Sequence, residues 1–169
     1  MEEKQNDKSI LDILSFDIMM QDADEIEIGH LCLEFYEDIE KAMNELGIHI
    51  KLNVYEGADV YIRQREYVIR MCLNTLVYYS ICMLPNLKIL VISVEEHENR
   101  IWINFYSEGD SLKADCKKKY SIRSQNLDYT MKIVQQYMQQ HNICPMAILN
   151  ENVWKLGLGF EFIDRREDI

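Results

Sequence analysis

Proline and glycine are scarce in this sequence, two and six among 169 residues, and no low-complexity stretch divides it. With 48% hydrophobic residues beside them, the chain carries the apolar material for one core of ordinary domain size. The five cysteines (Cys32, Cys72, Cys82, Cys116, Cys144) are odd in number, widely spaced and contain no C-x-x-C pair. That spacing excludes a disulfide framework and a zinc site of the usual kind, and buried thiols are the expectation. No long apolar run is present either. The longest uncharged one, around Cys72 to Leu84, is about 13 residues and contains Asn74 and Thr75, too short and too polar to span a bilayer. The first nine residues mix acids and bases with no apolar stretch, which excludes a signal peptide there and leads us to expect a cytosolic chain.

Positive charge is also in short supply. The formal net charge is −11, and the excess is N-terminal: residues 1–60 hold 16 acids and 4 bases, residues 61–169 hold 13 acids and 14 bases. Duplex nucleic acid needs clustered Lys and Arg for its phosphates, and Lys117, Lys118 and Lys119 form the single cluster, so nucleic acid is not an expected partner. Of the four histidines, His97 alone precedes an acid, in the polar turn "EEHENR", where an exposed and inert side chain is expected.

Periodicity supplies the elements. Residues 9–20, "SILDILSFDIMM", place Ile10, Leu11, Ile13, Leu14, Ile18 and Met19 on a broad apolar face behind a Ser9 N-cap, a short helix. In "GHLCLEFYEDIEKAMNELG", Cys32, Phe35, Ile39, Ala42 and Leu46 recur at helical spacing, and Gly47 is placed to end the helix in the left-handed conformation. "IHIKLNV" then alternates as a strand with one buried face. A second helix is expected from about Arg63 to Met83, stopped by Pro85. "LKILVISV" and "RIWINFY" form a hairpin around "EEHEN". Residues 107–125 have no period and read as a long functional loop. A third helix runs from about Leu127 to Gln140, and "CPMAIL" and "FEFI" make a last pair of strands around a turn-rich "NENVWKLGLG". The expected fold class is α/β of the α+β kind: a two-layer sandwich with a mixed, mostly antiparallel sheet and about three helices on one face.

The order of these elements and the residues at their junctions resemble the ATP-binding domain of sensor histidine kinases and its relatives in gyrase, the ninety-kilodalton heat-shock chaperone and the mismatch-repair ATPases, the GHKL or Bergerat fold. The resemblance covers roughly Ile26 to Ile163. "EYVIRMCLNTLVYYSI" is similar to the family's N-box helix, "INFYSEGDSL" to its V-x-D-x-G-x-G-I box, "DYTMKIVQQYMQQHN" to its G-x-G-L-x-I-V helix, and "GLGFEF" to its closing strand. It divides the chain into an N-terminal helix and linker, residues 1–25, the tail of an upstream helical hairpin, and an ATPase-like domain, residues 26–169.

The resemblance also implies where an ATP pocket would lie: at Asn74, Tyr78, Ser107, Gly109, Ser111, Asp128 and Thr130. The match is incomplete at the positions that carry chemistry. Tyr78 stands where an Asn would ligate magnesium, and Tyr79 where a small Ala follows. A neutral phenol is bulky and a weak donor for an ion that demands compact oxygen ligands. Ser107 stands in place of the Asp that accepts the adenine amino hydrogen, so the charge is gone. Gly109 survives but its partner glycine is Ser111. The phosphate-cradling glycines of the third helix fall on Asp128 and Thr130, and an anion there repels a triphosphate.

The expectation is a vestigial pocket filled by Tyr78, with no catalytic residue, no metal and no cofactor. The domain would be a pseudo-kinase of a bacterial signalling protein, acting through a protein partner or self-association and not inserting in a membrane. A weaker resemblance, to bacterial domains that follow tetratricopeptide repeats in membrane-linked signalling proteins, implies the cytosolic part of a larger assembly. The alternative is a divergent active kinase or ATPase module that holds ATP and Mg²⁺ with Asn74, Ser107, Gly109 and Lys117 to Lys119. A third is a different small ligand beside Tyr78 and Tyr79.

Overall fold

The computed structural model describes residues 23–55, 60–108, 122–149 and 153–163. The helix expected over 9–20, and Gly109, Ser111, Cys116 and Lys117 to Lys119, lie outside the described residues. In chain order the elements are β1 (Asp24–Glu27), α1 (Ile28–Glu45), β2 (His49–Val54), β3 (Tyr61–Gln64), α2 (Glu66–Met83), β4 (Ile89–His97), β5 (Arg100–Glu108), α3 (Ile122–Gln140), β6 (Cys144–Leu149) and β7 (Val153–Phe160). The main sheet has the order β2-β4-β5-β7-β6, parallel at β2–β4 and antiparallel elsewhere, and β1 and β3 pair as a separate antiparallel ribbon.

Strand alternation sorts the sheet into two faces. Leu90, Ile92 and Val94 of β4, Ile101, Ile103 and Phe105 of β5, and Trp154, Leu156, Leu158 and Phe160 of β7 are all buried and share one face. The helices cover that face. Phe35 of α1 meets Phe105 edge-on at 6.2 Å, Ser80 of α2 bonds Trp154, and Val134, Tyr137 and Met138 of α3 are buried in the same core. Each large aliphatic side chain sealed this way contributes about 1.5–3 kcal/mol, so the helix-facing rows are what hold the two layers together.

The helix ends are closed by backbone geometry. After α1, Gly47 sits at φ +75°, its N–H donates to Asn44 O at 2.9 Å, and the Ile48 N–H donates to Met43 O at 2.9 Å. That is the Schellman arrangement expected of the glycine. Asn142, at φ 57°, does the same after α3, where the Ile143 N–H reaches Met138 O at 2.8 Å. α2 stops at Met83 with Leu84 out of helical conformation (φ −118°, ψ 80°), as Pro85 requires. The β4–β5 hairpin turns on Glu98 and Asn99, both left-handed (φ 52° and 58°), the pair of conformations a two-residue type I′ turn demands.

Three expectations need correction. The last strand is "VWKLGLGF", not "FEFI": Gly157 and Gly159 lie inside β7. A Cβ on Gly157 would run into Asn104 Oδ1, and one on Gly159 would meet the Trp102 ring at 2.7 Å, so these glycines make room for large neighbours across the open face of the sheet. Residues 61–64, partly assigned to the second helix, form β3, and α2 starts at Glu66. α3 begins at Ile122, five residues before the expected start.

Charge joins α1 to α2. Arg70 reaches Glu34 at 2.8 Å, Glu66 at 3.0 Å and Asp38 at 3.1 Å. Burial alone would push this guanidinium down, but the bond to Glu66 and the three carboxylates together hold its pKa above the ordinary arginine value.

Candidate functional site

The residues assigned to a nucleotide pocket draw on α2, the end of β5 and the start of α3. α2 is helical because Val68, Ile69, Cys72, Leu73, Leu76, Val77 and Ser80 recur on one broad buried face. The opposite face carries Tyr67, Asn74 and Tyr78, all exposed, so Asn74 and Tyr78 stand one turn apart at the surface. Asn74 makes no side-chain hydrogen bond among the described residues. The Tyr78 ring is 55% exposed and therefore fills no buried pocket, contrary to expectation.

The buried ring on this helix is its neighbour's. Tyr79, half-buried, stacks on Trp154 with ring centroids 5.7 Å apart and an interplanar angle of 23°. Trp154 of β7 is itself sealed, and its indole Nε1–H donates to Ser80 Oγ at 3.0 Å. The Ser80 hydroxyl in turn donates to Leu76 O at 2.9 Å, which satisfies a polar side chain with no exposed surface. Trp154 is the direct register partner of Ser107 on β5, and Ser107 is 1% exposed. Ser107, which the resemblance puts at the adenine-acceptor position, is therefore closed off beside an indole that α2 grips by one stacking contact and one hydrogen bond.

Asp128 and Thr130 lie in the N-terminal half of α3. The electrostatic contact of Tyr137 with Tyr67 places the later part of α3 beside the start of α2. Four of the seven residues, Asn74, Tyr78, Asp128 and Thr130, are on these two helices, Ser107 is on the adjoining strand, and Gly109 and Ser111 are outside the described residues. Among the described residues no three His, Cys, Asp or Glu side chains converge where they could hold a metal ion.

Sequence reasoning missed Trp154, because "NENVWKLGLG" reads as a turn. The signal that could have found it is Tyr79: a large ring where the family places alanine needs a partner to pack against. Of the cysteines, Cys32 and Cys72 are buried, and burial pushes both thiols up to about 12, so they are inert at neutral pH. Cys82 is exposed and Cys144 half-buried, which departs from the expectation of buried thiols. His97 is exposed, as expected, with its side chain 71% accessible.

No family model matches the sequence, and comparison with characterised proteins finds none similar at the sequence level. Solved structures do match. The chain is similar to the catalytic domain of histidine kinase ThkA, with a TM-score of 0.60, 16% identity, and coverage of 83% of this chain and 97% of that one. It is similar to the histidine kinase AdeS of Acinetobacter baumannii (TM-score 0.65, 10% identity, 94% and 77% covered). It also matches the cytoplasmic segment of histidine kinase QseC (TM-score 0.59, 10% identity, 90% and 93% covered). ThkA has in addition been solved in complex with the response regulator protein TrrA, and this chain covers 49% of the matched chain there. At such identities the likeness is one of fold. The chain has the α+β fold of histidine-kinase catalytic, ATPase domains.

Proposed function

We propose that this chain is a histidine-kinase-like domain of a signalling protein that works through contact with another protein and does not use ATP. The observation that carries the proposal is Trp154, wedged between Tyr79, Ser80 and the position where adenine would meet Ser107. In the family resemblance that position is a carboxylate reading the base; here it is a neutral hydroxyl with 1% of its surface open. Tyr78 beside Asn74 adds the second misfit, because a phenol is a poor magnesium ligand in an octahedral shell of about 2.0–2.1 Å. The described residues do not fit a magnesium triphosphate, and no chemical step is assigned to them.

Contact with a protein partner is supported by the fold relative solved with a response regulator, and by α2, which presents Tyr67 and Tyr78 to solvent at 54% and 55% exposure. The exposed aromatic pair is the kind of surface that anchors interfaces. A cytosolic setting is proposed with it, supported by the likeness to the cytoplasmic segment of histidine kinase QseC.

One observation favours the other reading, a divergent module that binds ATP. Asn74 is exposed on the family's N-box helix and has no hydrogen-bond partner among the described residues, so its carbonyl is available. Titration calorimetry with ATP, with and without Mg²⁺, separates the two. The proposed function requires no heat of binding at millimolar nucleotide; magnesium-dependent saturation would replace it with the second reading.

A further inference from the structure

The β4–β5 hairpin fixes which backbone groups of β6 point away from the sheet. Its two-residue turn closes on His97 and Arg100, which in a type I′ hairpin exchange both of their backbone hydrogen bonds. Bonding direction alternates along a strand, and the registers run across β5 and β7 without a bulge, so Ile101, Ile103, Phe105 and Ser107 bond to β7. Gly159, Gly157 and Lys155 of β7 then bond to Cys144, Met146 and Ile148 of β6. The backbone groups left on the outer side of β6 belong to Pro145, Ala147 and Leu149. Proline, which has no N–H to give, thus stands where an edge tolerates it. β6 ends the sheet, and among the described residues no strand lies on its outer side.

That edge carries none of the usual protection. Edge strands are ordinarily guarded by charge, and β2, at the other end of the sheet, carries Lys51. β6, "CPMAIL", has no charged residue, and in a chain that is 28% charged no Asp, Glu, Lys or Arg occurs between Lys132 and Glu151. Ile148 and Leu149 are 43% and 45% exposed on it. Two chains of net charge −11 repel one another, and this uncharged strand is where they can approach with no carboxylates opposed. The strand is also complementary to itself. In an antiparallel pair centred on Ala147, the two Ala147 residues exchange both bonds and each Leu149 N–H donates to Pro145 O of the other copy, so the bonds that proline cannot make fall at the ends of the ladder. Met146 then stands opposite Ile148 of the second copy on the open face, an apolar pair with no charge to desolvate. We propose that this chain dimerises through β6, about a twofold axis at Ala147 that joins two five-stranded sheets into one. The dimer is independent of whether ATP is bound.

Sedimentation velocity of the full chain, with amide hydrogen exchange beside it, tests the proposal. A six-residue edge buries less than about 1,000 Å², the range of weak reversible contacts, so the dimer should appear as the chain is raised from about 5 to 500 µM. Over that range exchange at Ala147 and Leu149, whose N–H groups point outward, should slow about tenfold. Ala147→Pro removes a donor that the monomer does not use, and should leave the chain monomeric with its melting temperature unchanged. Ile148→Glu and Met146→Lys should each weaken dimerisation at least about tenfold, and mixing the two proteins should restore it, because the carboxylate of one then faces the ammonium of the other. Should Ala147→Pro or Met146→Lys fail to fold, Ile148→Glu, made at an exposed side chain, must by itself give the tenfold loss. A wild type that stays monomeric overturns the proposal, as does a dimer that Ala147→Pro leaves intact or a mixture that does not associate. Slow exchange at Ala147 and Leu149 that is independent of concentration would show the edge covered within one chain and overturn it equally.

Discussion

Trp154→Phe probes the feature that distinguishes this site. The substitution removes the indole N–H that Ser80 Oγ accepts at 3.0 Å, in surroundings where Ser80 has no exposed surface and Trp154 6%. A net hydrogen bond of this kind contributes about 1 kcal/mol. The smaller ring also leaves part of the space against Tyr79 empty, and a void of that size costs about a further 1–2 kcal/mol. The expected loss is about 2–3 kcal/mol, partly offset because Phe can still stack on Tyr79. In urea denaturation at 25 °C, with a slope of about 2 kcal/mol/M, the midpoint should fall by about 1 M while the slope stays constant. Ser80→Ala closes a double-mutant cycle, and the coupling between the two positions should be about 1 kcal/mol. A Trp154→Phe protein within about 0.5 kcal/mol of wild type, or a cycle with no coupling, would refute the assignment of Trp154 as a gripped wedge.

Gly157→Ala should cost about 1–3 kcal/mol, because its new methyl group meets Asn104 Oδ1 and, at 2.9 Å, Met146 Cε, and Asn104→Ala in the same chain should recover part of the loss in a chemical melt. Arg70→Ala leaves Glu34, Asp38 and Glu66 facing one another, and the destabilisation of about 1 kcal/mol at low ionic strength should shrink by half or more in 1 M salt, where the Debye length is about 3 Å. His141 is held neutral in the fold, so the unfolded chain takes up its proton more readily; the associated stability is present above the unfolded value of 6.5 and is lost as pH falls through the lower folded value. Denaturation midpoints between about pH 5 and 7.5 should show that slope, and His141→Gln should flatten it.

The long periodic elements were legible because each obeys a single period. α1, β2, α2 and the β4–β5 hairpin came from spacings of three to four or of two, and the Gly47 and Pro85 boundaries came from backbone conformation that few residues supply. β7 was not legible as a strand. Its glycines look like turn residues until the cross-strand neighbours, Trp102 over Gly159 and Asn104 over Gly157, are known to occupy the space. β1 and β3 have four residues each, too few for a pattern, and they exist because they pair with one another. The site divides along the same line. Asn74 and Tyr78 could be placed on one face by their spacing, whereas the contact of Trp154 with Ser80 joins residues 74 positions apart and needs the folded sheet.

Whether this chain binds magnesium nucleotide, which the proposed function denies, is read from the melting temperature of the full chain across a series of ATP concentrations with Mg²⁺. A ligand at 100 times its dissociation constant stabilises a fold by about 2.7 kcal/mol, a rise of at least about 5 °C for a chain of this length. A flat series up to millimolar nucleotide is expected; a magnesium-dependent rise of several degrees that Asn74→Ala abolishes would contradict the claim.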